Sequence, residues 1–462
     1  MPSGLTLLGY TATVVCFMFG VQLLRSPATA LRGNRVAAVG MLLVLGITFG
    51  LVATAGTHNW PLIAPPIVVG AALGVYAARA VRMTAMPQMV ALFNGMGGGC
   101  AALIAAQDFR TAASNGAATA DITWAILLSC LIGSLSFAGS LVAFGKLQGL
   151  VPGRPIRFPL QTPLNALLLL LIVVLAVFII VQPDTVHFFI FLLLALVLGV
   201  LFVIPIGGAD MPVIISLLNS FTGLAAAMTG FVLSNDVLIV SGALVGASGT
   251  ILTIAMSRAM NRSLFNVLFS GFGAAVEATG AGAEGGAVHP TTVEDVAALL
   301  AYANLVIFIP GYGLAVSRAQ HDLKELADEL ERRGVTVEYA IHPVAGRMPG
   351  HMNVLLAEAN VPYDELKEMD AVNPDFPRAD VAMVIGANDV VNPAARTQQN
   401  SPIYGMPILN ADQAKTVVVS KRSMATGFAG VDNPLFYKDN TLMLFGDARK
   451  SIQSLLAEVK HQ

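Results

Sequence analysis

The fold is decided by the stretch LVIFIPGYGLAV at residues 305–316. It begins as an apolar run with the length of a buried strand, and Gly311 and Gly313 follow at once. In a dinucleotide-binding unit such glycines allow a tight turn into a helix, whose free N–H groups can bind a pyrophosphate. Val316 stands where that fingerprint has its third glycine. The stretch therefore predicts a dinucleotide site through its position between a strand and a helix, with a purely structural turn as the alternative.

Around this stretch, apolar strands alternate with helices. Strands are predicted near 304–309, 335–341, 381–386, 416–420 and 441–445, and helices near 293–303, 314–333, 349–360, 393–397 and 448–459. This alternation predicts a doubly wound parallel sheet, a Rossmann-like α/β domain at 293–462, with ligands beyond the carboxyl ends of its strands. The preceding residues 263–292 are rich in glycine and alanine, which predicts a flexible linker.

The first 262 residues have the composition of a membrane bundle. They hold 5 of the 28 acidic and 11 of the 26 basic residues. Nine apolar spans of about 20 residues are predicted there, near 5–24, 36–55, 62–81, 86–106, 123–145, 164–182, 186–206, 213–234 and 238–258. The sequence thus predicts an α-helical transmembrane domain at 1–262.

The loops between the spans set the predicted orientation. Ten Lys or Arg residues lie in one set of alternate loops, and Arg110 alone lies in the other. By the positive-inside rule, this bias predicts an N-terminus outside the membrane and a cytoplasmic C-terminal domain.

Composition also argues against several classes of function. With a net charge of −2 and no basic stripe, the sequence gives no indication of a nucleic-acid partner. All three cysteines lie in apolar stretches and are interpreted as small hydrophobic residues, so neither disulfides nor a metal site is predicted.

Several polar residues fall inside or beside the predicted spans. Asn94 lies in the fourth span, and Asp210 precedes the eighth. One helical face of the eighth span carries Ser216, Asn219, Ser220 and Gly223. Polar groups at membrane depth are costly, so they are expected to face the bundle interior or water. Interhelical hydrogen bonding and proton conduction both explain them; the clustering and the dinucleotide domain favour a proton path. Asp210 has a further alternative, simple solvation at the interface.

The predicted nucleotide is NADP rather than NAD. An NAD site usually ends its second strand with an acid that binds the ribose hydroxyl, but here His342 and Pro343 follow that strand. Lys421, Arg422 and Ser423 follow a later strand, and two cations with a hydroxyl suit a phosphate dianion. A surface basic pair is the alternative for these cations.

Three glycine-punctuated loops lie at or beyond predicted strand ends. They are residues 342–351, 386–389 and 426–434. All three are expected to border the ligand, and the last is expected to fold over a bound nucleotide as a lid.

At these residues the chain resembles the β subunit of the proton-translocating nicotinamide nucleotide transhydrogenases, over nearly all of its 462 residues. The strings that carry the resemblance are GGADMP at 207–212, AMNRS at 259–263, PGYG at 310–313, IHPVAGR at 341–347, GAND at 386–389 and KRSM at 421–424.

The resemblance implies that the C-terminal domain holds NADP(H) and that a partner holds NAD(H). That partner would be one or more α subunits with further transmembrane helices, in a dimer of αβ units in the bacterial inner membrane. Hydride would pass directly between the nicotinamides, coupled to proton movement. NADP(H) lies reversed in this family relative to ordinary Rossmann proteins, so the glycine turn need not contact the usual phosphate oxygens.

Site residues follow from the resemblance by matching positions. Lys421, Arg422 and Ser423 would bind the 2′-phosphate, and Arg347, Asn388 and Asp389 would lie near the nicotinamide and pyrophosphate. Gly427 to Pro434 would form the lid. The expected nucleotide-binding residues are Gly311, Tyr312, Gly313, Ala315, Val316, His342, Val344, Ala345, Gly346, Arg347, Gly386, Ala387, Asn388, Asp389, Lys421, Arg422, Ser423, Gly427, Ala429, Gly430, Val431, Asp432 and Asn433. The expected proton-path and coupling residues are Asn94, Asp210, Ser216, Asn219 and Asp389.

One departure from the family pattern concerns Asn94, since the family often places a histidine there. Asparagine does not titrate near neutral pH, so another group, expected from a partner subunit, must supply the titrating site. The rival interpretation is an NADP-gated transporter or channel without redox turnover. A ferric or quinone reductase would need haem, flavin or quinone features, and no paired membrane histidines suited to haem occur in the sequence.

Overall fold

The computed structural model describes residues 4–24, 26–54, 59–81, 85–116, 119–152, 156, 158–207, 210–259, 287–347, 350–399, 401, 403–427 and 429–462. The chain divides into two compact units, Met1–Thr253 and Ile254–Gln462. Residues 263–286 of the predicted linker lie outside the described residues, and so do Met348, Pro349 and Phe428 of the predicted loops.

Nine helices long and apolar enough to cross a membrane occur among the described residues, as predicted. They are α1 (Gly4–Leu23), α2 (Pro27–Thr54), α3 (Trp60–Ala80), α4 (Met86–Ser114), α5 (Ala120–Gln148), α6 (Gln161–Val181), α7 (Thr185–Val203), α8 (Met211–Val232) and α9 (Asp236–Ala259). Helix α2 begins at Pro27 rather than near residue 36. Hydropathy marks only the apolar part of a helix, whereas backbone hydrogen bonding continues through Arg32 and Arg35. The chain therefore forms a membrane bundle.

Close backbone contacts hold the helices of this unit together. A Cβ atom on Gly98 of α4 would lie 2.8 Å from the carbonyl oxygen of Gly133 on α5, and one on Gly133 would lie 2.7 Å from that of Gly98. Gly242 of α9 packs against α8 in the same way, since its Cβ would lie 2.7 Å from the oxygen of Gly223. Small residues permit this approach, which substitutes for the hydrophobic effect between helices in lipid.

The second unit contains a seven-stranded parallel sheet, which confirms the predicted Rossmann-like architecture. Its strands are β1 (His289–Pro290), β2 (Leu305–Pro310), β3 (Thr336–Ile341), β4 (Leu366–Glu368), β5 (Val381–Ile385), β6 (Thr416–Lys421) and β7 (Thr441–Phe445), in the order β1-β7-β6-β5-β2-β3-β4. The five predicted strands are all present. β1 and β4 were not predicted; β1 lies inside the stretch predicted as linker and pairs with β7, His289 opposite Leu442.

Helices connect the strands of the sheet. They are α10 (Val293–Ala301), α11 (Tyr312–Ser317), α12 (Gln320–Arg332), α13 (His351–Glu358), α14 (Met369–Val372), α15 (Ala394–Thr397) and α16 (Ala448–His461), with 3₁₀ turns at Tyr363–Glu365, Asn373–Arg378, Asp389–Val391, Ala411–Gln413 and Pro434–Tyr437. The single helix predicted at 314–333 is wrong, because the chain breaks at Arg318, whose φ of 53° is left-handed. The amide of Ala319 then donates to the Leu314 oxygen at 3.3 Å and closes α11.

The two faces of the sheet are both buried, as a parallel sheet requires. Val306 and Phe308 face one apolar layer, which includes α12 and α16. Ile307 and Ile309 face the other, which includes Phe436. The alternation of β2 between two cores explains why its sequence is a continuous apolar run.

Candidate nucleotide site and membrane polar cluster

Two glycine turns interlock where β2 and β5 end. The amide of Gly311 donates to the Ile385 oxygen at 2.9 Å, and the amide of Gly313 donates to the Gly386 oxygen at 2.9 Å. A Cβ on Gly313 would lie 2.7 Å from the Gly386 Cα, so the turns touch backbone to backbone. These two N–H groups are thus occupied by the last residue of β5 and by the glycine that follows it. The glycines serve contact between the turns, and the Rossmann expectation that these two amides bind a pyrophosphate does not fit this geometry.

The sheet order explains why a crevice forms here. From β2 the chain proceeds to β3 on one side and later to β5 on the other. The point between β2 and β5 is therefore a topological switch point, the usual ligand crevice of a doubly wound sheet. The loops that follow β6, β5, β2 and β3 all emerge at this carboxyl edge because these neighbouring strands are parallel.

An arginine and two rings lie beside the glycine turns. The Arg347 guanidinium carbon is 4.4 Å from the centroid of the Tyr312 ring. The Arg347 amide donates to His351 Nδ1 at 3.0 Å, which leaves the ring proton of neutral His351 on Nε2. Burial lowers the pKa of His351, and the nearby Arg347 charge lowers it further. The Arg347 guanidinium, half-buried next to the Tyr312 ring, is suited to bind an anionic ligand.

His351 is a site residue that the sequence prediction omitted. Its side chain is 1% exposed, and its Nε2 has no hydrogen-bond partner among the described residues. The only sequence signal was its membership of the loop 342–351, since nothing in its spacing distinguishes it.

His342, predicted to bind the nucleotide, joins two loops of the protein. Its Nε2 lies 2.8 Å from the Pro407 oxygen, and its Nδ1 accepts the Val344 amide at 3.2 Å. Burial lowers the pKa of His342 to about 4, partly opposed by the Pro407 carbonyl, so the ring is neutral. Both nitrogens are engaged by the protein, so we expect this ring to support the Val344–Arg347 turn rather than contact a ligand.

The segment predicted as the lid is hydrogen-bonded to the turn after β5. Asp389 Oδ2 accepts the Ala429 amide at 2.9 Å, and Asn433 Nδ2 donates to the Asn388 backbone oxygen at 3.1 Å. Farther along, Asn392 Nδ2 donates to the Asp432 oxygen at 3.0 Å. These bonds bring the predicted residues of both loops together.

An apolar floor lies beneath the lid. Ala429 and Val431 pack on a separate buried cluster that consists of Ala394, Ala395, Ile403, Met406 and Ile408. The segment predicted as the lid therefore packs on its own small apolar cluster.

The basic triplet stands at the exit of β6. Lys421 is half-buried; its Nζ donates to the Ala425 oxygen at 2.5 Å and lies 4.6 Å from the Phe436 ring centroid. Burial lowers the pKa of Lys421, while Asp389 and Asp432 oppose that shift. Arg422 and Ser423 are exposed and face solvent at the same strand exit. The triplet therefore presents two cations to a phosphate: Lys421, whose ammonium already donates to the Ala425 oxygen, and Arg422, which is exposed.

Asn94 forms a polar cluster with hydroxyl groups of two other membrane helices. It is 9% exposed, and its Nδ2 donates to Ser140 Oγ at 2.9 Å and to Ser136 Oγ at 3.4 Å. Ser136 Oγ lies 2.6 Å from Thr222 Oγ1 on α8. The three hydroxyl residues were missed, because single Ser and Thr residues in a span carry no pattern.

The predicted polar face of α8 contacts α9 instead of Asn94. Ser216 Oγ donates to the Gly249 oxygen at 3.2 Å, and Ser220 Oγ donates to the Gly246 oxygen at 2.8 Å. Asn219 is half-buried and makes no side-chain hydrogen bond within the described part of the chain. The polar residues of α8 thus divide between two interfaces, and those facing α9 have the geometry of interhelical hydrogen bonding.

Asp210 lies at the N-cap of α8 and is 6% exposed, so it is buried in this unit rather than solvated. Its amide donates to the Gly207 oxygen at 3.1 Å. A carboxylate at a helix N-terminus is favoured by the helix dipole, which helps to explain a buried acid at this position.

Residues 6–458 match the family described as NAD(P) transhydrogenase beta subunit. Two curated relatives, each named NAD(P) transhydrogenase subunit beta, come from Rhodospirillum rubrum and from a named strain of that species; each is 49% identical over 463 residues, which covers 99% of both chains. The family implies binding of nicotinamide nucleotides, an α partner and a membrane location. This chain, with its nine apolar helices and its parallel-sheet unit, belongs to the NAD(P) transhydrogenase beta-subunit family.

Proposed function

We propose that this chain binds NADP(H) at the carboxyl edge of its sheet and exchanges hydride with NAD(H) held by an α subunit, coupled to proton movement across the membrane. The observation that carries the NADP assignment is the basic triplet at the exit of β6. It is supported by the end of β3, where buried His342 stands in place of an acid and Glu338, within the strand, is paired with Lys367 at 2.6 Å.

In this proposal the residues of the site bind and align, because hydride transfer needs no acid or base from the protein. Arg422, Ser423 and Lys421 hold the 2′-phosphate, and Arg347 neutralises the pyrophosphate. Gly427 to Pro434 cover the nucleotide and exclude water, and Tyr312 provides an aromatic surface beside Arg347. The remaining predicted residues, among them Ala315, Val316, Ala345, Gly346, Ala387 and Gly430, shape the turns.

Coupling requires that protonation alter the affinity for NADP(H). Asp389 is the proposed link, because its carboxylate accepts the Ala429 amide of the lid. Protonation would weaken this charge-assisted bond and favour lid opening. By linkage, nucleotide binding would then alter proton affinity equally. One charge crossing about 150 mV supplies roughly 3.5 kcal/mol, which shifts the hydride equilibrium by a few hundredfold.

In the membrane unit, Asn94 and Asp210 belong to the proposed proton path and coupling route. Asn94 relays hydrogen bonds through Ser136, Ser140 and Thr222 without titrating, so the titrating group is proposed to lie on a partner subunit. Ser216 and Asn219 stay in the proposal as path residues of α8. The proposed arrangement is a dimer of αβ units in the bacterial inner membrane, with the N-terminus outside and the nucleotide unit in the cytoplasm.

Calorimetry on the detergent-solubilised full chain tests the nucleotide assignment. NADP⁺ should bind at least about tenfold more tightly than NAD⁺, since hydrogen bonds to a charged group contribute roughly 1.5–3 kcal/mol. Arg422→Ala should abolish most of this preference, whereas Arg332→Ala, which removes an exposed arginine paired with Glu329, should leave it intact. Equal affinities for the two nucleotides in the unaltered chain would refute the assignment.

A second experiment separates turnover from gating. Membranes that contain both subunits should reduce an NADP analogue with NADH, and an uncoupler should change the rate. Nucleotide binding without any hydride transfer would favour the NADP-gated transporter instead.

A further inference from the structure

A buried lysine at the end of α5 is not used by the function proposed above. Lys146 is 5% exposed, although it lies in the last turn of its helix. Its Nζ donates to the Ile204 oxygen at 2.5 Å and to the Ile206 oxygen at 2.7 Å. Both carbonyls belong to the connection that follows α7, so one ammonium group ties α5 to the segment between α7 and α8.

The two carbonyl groups stabilise the positive charge of Lys146. Carbonyl groups at a helix C-terminus carry partial negative charge, and a cation there is stabilised by it. Within the described residues Lys146 has no carboxylate partner, so its charge is held by these two dipoles. A buried lysine is costly, and an apolar residue of similar volume is often at least as stable at such a position. A buried charge at the end of a membrane helix is therefore better explained by function than by stability.

The segment held by Lys146 leads directly to Asp210. Ile206 precedes Gly207, whose oxygen accepts the Asp210 amide at 3.1 Å, and α8 begins one residue later. Lys146 and Asp210 are the two charged side chains that are buried in the described part of the membrane unit. The Lys146 ammonium donates to the Ile206 oxygen, and the Asp210 amide donates to the oxygen of the next residue, Gly207. The two charged residues are therefore joined through one short backbone segment.

We propose that Lys146 is a positioning residue for proton coupling: by holding the Ile204 and Ile206 carbonyls, it fixes the connection from α7 and thereby the place of Asp210 and the first turn of α8. This inference rests on the proposed function, in which Asp210 belongs to the coupling route. Removal of the Lys146 ammonium weakens the coupling between proton movement and hydride transfer and leaves the nucleotide site unchanged.

The test measures coupling separately from turnover. Both subunits are reconstituted in vesicles, and the number of protons moved per hydride is obtained from an entrapped pH dye and the absorbance of the NADP analogue. Lys146→Met keeps a similar length without charge and should lower this ratio at least about fivefold, the lower end of usual coupling factors. The rate of hydride exchange between the two nucleotides, measured with an uncoupler present, should change less than about twofold. Lys146→Arg, which keeps the charge, should restore part of the ratio.

Controls make the outcomes distinguishable. Lys450→Met, the same substitution at an exposed position on α16, should keep the full ratio. If Lys146→Met does not assemble, Lys146→Gln carries the test, because its side chain lacks the charge and is one bond too short to hold both carbonyls; a wild-type ratio in whichever of these two variants assembles would overturn the proposal. An equal loss of ratio and exchange would also overturn it, as a merely structural role. A wild-type enzyme that moves no protons would instead refute the proposed function.

Discussion

Gly386→Ala is expected to destabilise the nucleotide unit because two costs add at this turn. Gly386 has a φ of +65°, a left-handed conformation that costs a residue with a Cβ about 1–2 kcal/mol. The new Cβ would lie 2.8 Å from the backbone N and C of Gly313, and closer still to its Cα. Backbone cannot rotate away as a side chain can, so overpacking adds about 1–3 kcal/mol. The total is about 2–5 kcal/mol.

Differential scanning calorimetry of the full chain in detergent measures this cost. At about 2–4 °C per kcal/mol for a unit of this size, Tm of the nucleotide unit should fall by roughly 4–20 °C. Affinity for NADP⁺ should also fall, because the displaced turn borders the crevice.

Gly334→Ala is the matched control. Gly334 has a φ of +89° but no atom within 4 Å of the position of a Cβ, so it bears the conformational cost alone. Its Tm should fall less, and its NADP⁺ affinity should not change. An equal fall in Tm for both variants would show that the contact between the two glycine turns contributes nothing, and would refute the reasoning.

Three further outcomes are expected. Asp389→Asn should flatten the pH dependence of NADP(H) release, because an amide does not titrate as a carboxylate does. A variant that released NADP(H) with the wild-type pH dependence from about pH 5 to about pH 9 would rule this residue out. Lys421→Ala should weaken NADP(H) binding far more than NAD(H) binding by the assembled enzyme; equal losses would argue against a 2′-phosphate role. His342 has its pKa lowered from 6.5 to about 4 when folded, so the unfolded chain binds a proton that the folded unit does not. Stability should therefore fall as pH falls through this window, by up to about 3 kcal/mol. Calorimetry of His342→Gln should show a weaker pH dependence, and identical curves would contradict this reasoning.

The sequence predicts elements well where burial dictates composition. β2 and β6 are apolar on both faces, so a parallel sheet was predictable from them alone. β1 and β4 have two and three residues, too few for any pattern. The break at Arg318 has no glycine or proline to announce it, because a non-glycine residue adopts the left-handed conformation there.

For the candidate site, the sequence predicts positions better than roles. Gly311 and Gly313 were expected from their pattern, but their partner, the turn at Gly386, lies more than 70 residues away in sequence and is known only from the fold. The contact of Asn94 with Ser140 is of the same kind, since it joins residues on separate helices. Long-range pairings of this type leave no periodic trace in a single sequence.

The outermost strand of the sheet also dictates when this unit can finish folding during synthesis. His289 leaves the ribosome early, yet its partner Leu442 is made roughly 150 residues later. Until β7 is translated, β1 has no strand to pair with, and the apolar strands made earlier lack their complete sheet. A nascent chain in this condition exposes unpaired strand edges, which are prone to aggregation. Truncation near the C-terminus would therefore be far more harmful than the modest length removed suggests.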